Sequence, residues 1–188
     1  TDVKQFPDHL ITFFTDHKLV SIVQSSVTIV AILVGGVFGL VQYMDYKSSE
    51  KVNRSLTQLT KYSADGMVKS RESINEAWSD NLENLIELFK KNKSDEAYSK
   101  FVIDVVSNNN LDNDVDKILR FYEESAVCVN SNLCDEETIR SFFQTDAKPF
   151  FNTFYPYICS QRKRWKDEKI WETVQAFYNP KSIGKICG

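Results

Sequence analysis

The sequence predicts an all-α protein with a single N-terminal transmembrane helix, a stalk helix and a cytoplasmic helical bundle. Residues 19–44 contain no charged side chain, no glycine lies between Gly66 and Gly184, and apolar residues after position 70 recur at steps of three and four. Long uncharged runs are typical of membrane spans, and the recurrence is typical of amphipathic helices. With 188 residues, the chain has room for one modest domain and an appendage.

Residues 1–18 are predicted to form a short extracytoplasmic or interfacial tail. Phenylalanine, leucine and isoleucine alternate there with acidic residues, which suits a short helix lying at the membrane interface. A disordered tail is the alternative. His9 and His17 are the chain's only histidines, and we predict that they are surface residues and not metal ligands.

Residues 19–44 are predicted to be a retained membrane anchor. A helix of this length, at ~1.5 Å per residue, measures about 39 Å and exceeds the ~30 Å hydrocarbon core. A buried helix of a soluble protein rarely runs so far without a charge. A cleaved signal peptide would need a basic start and a small-residue cleavage pattern, which the chain lacks.

The flanking charges predict the orientation of this anchor. Two lysines, Lys4 and Lys18, precede the span, whereas four cations follow it within a similar distance: Lys47, Lys51, Arg54 and Lys61. Positive charge favours the cytoplasmic side. We therefore expect a protein of the inner (cytoplasmic) membrane, with the N-terminus outside and the C-terminal domain in the cytoplasm.

Ala31, Gly35 and Gly39 recur every four residues and form a stripe of small side chains on one face of the span. Such stripes let helix backbones approach closely, although they also occur by chance in apolar helices. The predicted partner is another copy of the chain or the helix of another membrane protein.

Residues 45–69 are predicted to form the stalk helix, residues 70–179 the bundle and residues 180–188 a flexible tail. The strongest amphipathic pattern in the bundle comprises Val115, Ile118, Leu119, Tyr122, Ala126 and Val129. A helix from Ser70 has an apolar face that reaches Phe89, and another over residues 147–165 is expected to kink at Pro156.

The four cysteines, Cys128, Cys134, Cys159 and Cys187, contain no CxxC pair and have no histidine nearby. In a reducing compartment they are predicted to be small apolar core residues. The predicted cytoplasmic bundle also contains no histidine to activate a nucleophile and no glycine-rich phosphate loop. We therefore expect no enzyme activity, no cofactor and no metal.

A basic and aromatic stretch is the main candidate binding site. Arg162, Lys163, Arg164 and Lys166 surround Trp165, and guanidinium groups with aromatic faces are suited to binding nucleotides. The alternatives are a solvated face balanced by Asp167 and Glu168, or a contact with anionic lipid. The near-neutral charge of −3 gives no reason to expect a nucleic-acid partner.

The segments "FYEESAVCVNSNLCDEETIRSFF" and "FYPYICSQRKRW" resemble those of small prokaryotic membrane-anchored proteins with one N-terminal span and a cytoplasmic helical domain of unknown function. Phe121, Tyr122 and Glu123 match the aromatic-Glu pair of that family, Asp135 its acidic turn and Arg162 its later arginine. The resemblance implies the architecture and no activity. Separately, Glu123 on a buried helix face predicts a structural pair with Arg162.

These observations favour a non-enzymatic accessory or assembly subunit of a larger membrane complex, acting through its span and its helical domain. The alternative is a membrane effector that oligomerises and rearranges its transmembrane helices when a nucleotide signal binds. The two differ in that only the effector needs Arg162 and Arg164 to contact a ligand.

Overall fold

The computed structural model describes residues 17–91, 94–179 and 187, with side chains described from Ile32 onward in these ranges. Helices and short connections account for them: α1 (His17–Tyr62), α2 (Asp65–Asp80), α3 (Leu82–Lys90), α4 (Asp95–Asn108), α5 (Asp112–Asn130), α6 (Glu136–Thr153), α7 (Tyr155–Trp165) and α8 (Glu172–Tyr178). No strand occurs within the described ranges, which confirms the predicted all-α class.

The chain divides into two units, Thr1–Ser48 and Ser49–Gly188. In the described part of the first unit, large apolar side chains are exposed at positions all around α1: Ile32, Leu33, Val34, Val37, Phe38, Leu40, Val41, Tyr43, Met44 and Tyr46. The described residues include no helix that is both long and apolar enough to cross a membrane.

Parts of the predicted organisation lie outside the described residues. The side chains of residues 19–31, half of the predicted span, are not among those described. The same holds for residues 1–16 of the predicted N-terminal tail and for most of the predicted C-terminal tail.

The second unit has one hydrophobic core, with α5 at its centre. α5 packs against α2, α6 and α8, while α4 packs against α7. The predicted inner face of α5 is buried from Val115 through Ile118 and Tyr122 to Ala126. A repeat of three and four residues places these side chains on one side of the helix, so the prediction for α5 is confirmed.

The predicted stalk over residues 45–69 is not one helix. α1 ends at Tyr62 and α2 begins at Asp65. Tyr62 belongs to the core, where its ring centroid lies 5.0 Å from that of Phe121 and 5.2 Å from that of Phe143. This role is not visible in the sequence, because the partners of Tyr62 come from distant helices and its neighbours in the chain are polar.

The helix predicted from Ser70 to Phe89 is two helices, α2 and α3. They are separated at Asn81, whose side-chain amide donates a 2.9 Å hydrogen bond to the Ala77 carbonyl. No residue of α3 is buried, and its predicted inner face is exposed at Leu82, Ile86 and Phe89. The described part of the chain covers this apolar face only in part, with Phe89 contacting Tyr98 of α4 at a ring-centroid distance of 6.2 Å.

The predicted kink at Pro156 is a helix boundary. α6 contains Pro149 and ends at Thr153, and Pro156 is the second residue of α7. The first turn of a helix has no acceptor for a backbone N–H, so proline costs no hydrogen bond there.

Candidate functional site

Glu123 of α5 contacts the start of α8. Its Oε2 atom accepts a 3.0 Å hydrogen bond from the backbone N–H of Val174, the third residue of that helix. The first four N–H groups of a helix lack partners within the helix, and a carboxylate there also interacts favourably with the helix dipole. Glu123 therefore acts as a cap that comes from another helix.

Arg162 of α7 also contacts α8 and the connection that precedes it. Only 4% of the residue is exposed. Its Nε atom donates to the Ile170 carbonyl at 2.9 Å, and its Nη2 atom donates to Gln175 Oε1 at 3.1 Å. The guanidinium group thus holds the connection between α7 and α8 and is not exposed to solvent.

The predicted pair of Glu123 and Arg162 is wrong. The ion pairs among the described residues do not include one between them, and each side chain bonds to α8 or to the connection before it. The sequence indicated that Glu123 lies on a buried helix face. It did not show that a third segment would supply a backbone N–H for one and a backbone carbonyl for the other.

The rest of the basic stretch is a surface feature. Lys163, Arg164, Trp165 and Lys166 are all exposed, and the Arg164 guanidinium lies 5.8 Å from the centre of the Trp165 ring. Tyr157, in the same helix, is buried and donates a 2.9 Å hydrogen bond to Asp116 Oδ1. Burial raises the pKa of the Tyr157 hydroxyl, which stays protonated at neutral pH. The predicted patch therefore loses Arg162 and keeps only exposed side chains.

A groove opens beside Tyr62, between α2 and α6. It has a volume of about 580 Å³, and its lining includes Arg71, Trp78, Asp146 and Phe150. The Arg71 guanidinium stacks 4.1 Å from the centre of the Tyr62 ring. Tyr62 Oη lies 3.1 Å from Tyr122 Oη and donates to Asp146 Oδ2 at 3.3 Å. The groove is not visible in the sequence, because its lining residues come from four separate helices, α1, α2, α5 and α6.

The end of α1 that belongs to the second unit is attached to the loop between α5 and α6. Ser55, which is fully buried, accepts a 2.9 Å hydrogen bond from the backbone N–H of Asp135 and donates one of 2.9 Å to the Lys51 carbonyl. Lys51 Nζ also donates to Asn132 Oδ1. Two residues one helical turn apart thus hold a single loop.

The cysteines form two disulfides, and the prediction that they are unpaired core residues is wrong. Cys128 bonds Cys134 across the loop between α5 and α6, and Cys159 of α7 bonds Cys187. All four cysteines of the chain are used. Cys134 is nevertheless in the core, with 3% of its surface exposed. The prediction assumed a reducing compartment, where disulfides are rare, and for that reason it did not include disulfide bonds between the cysteines.

The small-residue stripe lies in the first unit. A Cβ atom added at Gly35 or Gly39 would meet nothing within 4 Å, and the same is true at Gly36. The side chain of Ala31 lies outside those described. In this chain by itself, the two described positions of the stripe face open space.

No cluster of metal-binding side chains occurs among the described residues. His9 lies outside them, and His17 is described only as the first residue of α1.

Residues 29–180 match a protein family described as a domain of unknown function, DUF4760. No curated protein and no solved structure matches the chain. The match covers the helical unit almost completely. The chain therefore belongs to the DUF4760 family.

Proposed function

We propose that this protein is a non-enzymatic, single-span membrane protein that serves as an accessory or assembly subunit of a larger membrane complex. Residues 19–44 would lie in the bilayer, and the helical unit would contact the other subunits. The partners are the other membrane-protein subunits of that complex, with or without further copies of this chain.

The observation that carries the proposal is the exposure of apolar side chains around α1. From Ile32 to Met44, the large apolar residues are 49–67% exposed, and they occupy the whole circumference of the helix. Soluble monomers rarely expose a contiguous apolar surface of more than a few hundred Å². Lipid or other apolar helices would have to cover these residues, and the uncharged sequence of residues 19–44 suits both.

Two further surfaces support an assembly role. Gly35 and Gly39 leave room for the backbone of a second helix, and close packing of this kind drives helix association in membranes. In the helical unit, the exposed face of α3 presents Leu82, Ile86 and Phe89. A protein partner would bury this face.

The nucleotide-gated effector has less support. That function needs arginines accessible to phosphate, whereas Arg162 is buried and directs two of its donors to Ile170 and Gln175. A ligand at Lys163 and Arg164 would contact only exposed side chains.

The test begins with carbonate extraction of the native membrane, followed by gentle detergent release of the tagged full-length chain and measurement of the mass and composition of the complex. Retention in the membrane and recovery with other subunits at fixed stoichiometry are expected. Release by carbonate, or recovery as a monomer, would refute the proposal. A pure homo-oligomer would favour the effector instead.

Substitutions on α1 identify the interface. Gly35→Leu and Gly39→Leu place a large side chain on the stripe and should reduce recovery of the partners at least about tenfold, the equivalent of ~1.4 kcal/mol. Gly36→Leu is the matched control, because Gly36 has the same open surroundings and lies off the stripe.

A further inference from the structure

The pairing of every cysteine carries information about where the helical unit folds. One disulfide closes a loop within the chain, with a sequence separation of 6, and the other joins α7 to a residue 28 positions later. Structural disulfides persist in oxidising compartments and are rare where thiol reductants are abundant. An unpaired cysteine, the usual sign of a protein from a reducing compartment, is absent from this chain of four cysteines.

The Cys128–Cys134 disulfide is also built into the fold. Cys134 is 3% exposed and packs in the core. The backbone N–H groups of Leu133 and Cys134 both donate to the Cys128 carbonyl, at 2.9 and 3.1 Å. The turn thus brings the two sulfurs together through its own hydrogen bonds, and the disulfide is buried at Cys134 and partly exposed at Cys128.

The loop closed by this disulfide is the one that holds α1. Asn132 accepts a hydrogen bond from Lys51, and Asp135 donates one to Ser55. Both contacts depend on the path of the chain between Cys128 and Cys134 and just after it. Opening the disulfide would release the loop and weaken both contacts.

We infer that the helical unit, residues 49–188, matures on the oxidising side of the membrane, and that the Cys128–Cys134 disulfide locks the loop that holds residues 51–55 of α1. The inference rests on the proposed membrane anchor, because the helical unit lies on one side of a membrane only if the chain is anchored there. Each pair forms by exchange with an oxidised dithiol catalyst: the two thiols lose two protons and two electrons, and the catalyst's disulfide is reduced to two thiols.

This inference reverses the orientation predicted from the flanking charges. Two of the four cations after residue 44 have partners within the helical unit: Arg54 pairs with Glu50 at 2.6 Å and Lys61 with Glu124 at 3.6 Å. A third, Lys51, bonds Asn132. These cations therefore have structural contacts that can form on either side of the membrane. The pairing of cysteines, in contrast, depends on the side, because disulfides persist only in an oxidising compartment.

The first experiment counts free thiols in the full-length chain. Cells are quenched with acid, and the denatured protein is treated with a polymer-linked maleimide that retards each labelled molecule on a gel. No adduct is expected before reduction and four after it. Adducts in the unreduced sample at steady state would overturn the inference.

The second experiment determines directly on which side of the membrane the helical unit lies. A reporter enzyme that requires disulfides and a fluorescent protein that matures only in a reducing compartment are each fused after Gly188 of the full-length chain. Activity of the enzyme without fluorescence is expected; the opposite result would restore the orientation predicted from the charges. Carbonate extraction of the same fusions tests the anchor separately, so a failed anchor is distinguishable from a reversed side.

The locking role has its own test. In the Cys128→Ala/Cys134→Ala variant, amide hydrogen exchange in residues 49–62 is expected to rise at least about tenfold. Cys159→Ala/Cys187→Ala is the matched control and should leave that segment unchanged. Equal exchange in both variants and in the parent chain would show that the disulfide does not hold the loop.

Discussion

Glu123 Oε2 lies 3.0 Å from the backbone nitrogen of Val174, and this hydrogen bond joins α5 to the first turn of α8. With Arg162, which bonds Ile170 and Gln175, it holds the last described helix on the core. α8 has only seven residues and would not be stable by itself. Its position therefore depends on contacts from α5 and α7.

Replacing Glu123 tests this cap. Glu123→Ala should lower the free energy of unfolding by about 1 kcal/mol, because the Val174 N–H loses its acceptor. Glu123→Gln replaces the carboxylate oxygen with an amide oxygen, which is still an acceptor, and should lower the free energy of unfolding by less. Thermal unfolding of the detergent-solubilised chain measures both. Glu124→Ala, at an exposed position with a 3.6 Å ion pair, is the control and should have little effect.

Replacing Arg162 should be more damaging. Arg162→Ala leaves the Ile170 carbonyl and the Gln175 side chain without this donor, and we expect a loss of about 2–3 kcal/mol in stability. Lys163→Ala, at the next and exposed position, should be neutral within about 0.5 kcal/mol. If the two variants unfolded at the same temperature, the structural role of Arg162 would be disproved.

Ser55 offers a test of the attachment of α1. Ser55→Ala removes the acceptor for the Asp135 N–H at a fully buried position and should cost about 1 kcal/mol. The control is Thr57→Ala, since the exposed Thr57 hydroxyl donates to the Asn53 carbonyl of its own helix. Protease cleavage between α5 and α6 should become faster in the Ser55 variant alone.

The N-terminus of α6 should make stability depend on pH. Asp135 Oδ1 accepts hydrogen bonds from the N–H and the hydroxyl of Thr138, at 2.8 and 2.6 Å, and these bonds hold the Asp135 pKa below its usual value of 3.8. A carboxyl group whose pKa is lower in the folded state stabilises the fold above its unfolded pKa. The stabilisation is lost as the pH falls through the folded value.

The unfolding temperature should therefore fall when the pH is lowered below about 4, and Asp135 should contribute to that fall. Asp135→Asn keeps an N-cap side chain that does not titrate, so its unfolding temperature should change less over the same range. An identical pH profile for both proteins would show that this carboxyl group has no such role.

Local periodicity was enough to predict the helical class and the buried side of α5, because one face of a single helix is visible in a short stretch of sequence. Ile118, Leu119 and Tyr122 are all buried as predicted. The same argument failed at α3, where an equally regular pattern faces solvent at Ile86 and Phe89. A pattern identifies an apolar face but does not identify what covers it.

The sequence by itself determined that the chain is helical, that residues 19–44 carry no charge and that the chain contains four cysteines. Only the tertiary structure decided that Tyr62 joins the core, that Glu123 and Arg162 bond α8 and not each other, and that Cys159 reaches Cys187. The physical reason is the range of the interactions. Helix formation depends on neighbours within four residues, whereas these partners lie far apart in the chain and meet only after the helices have packed.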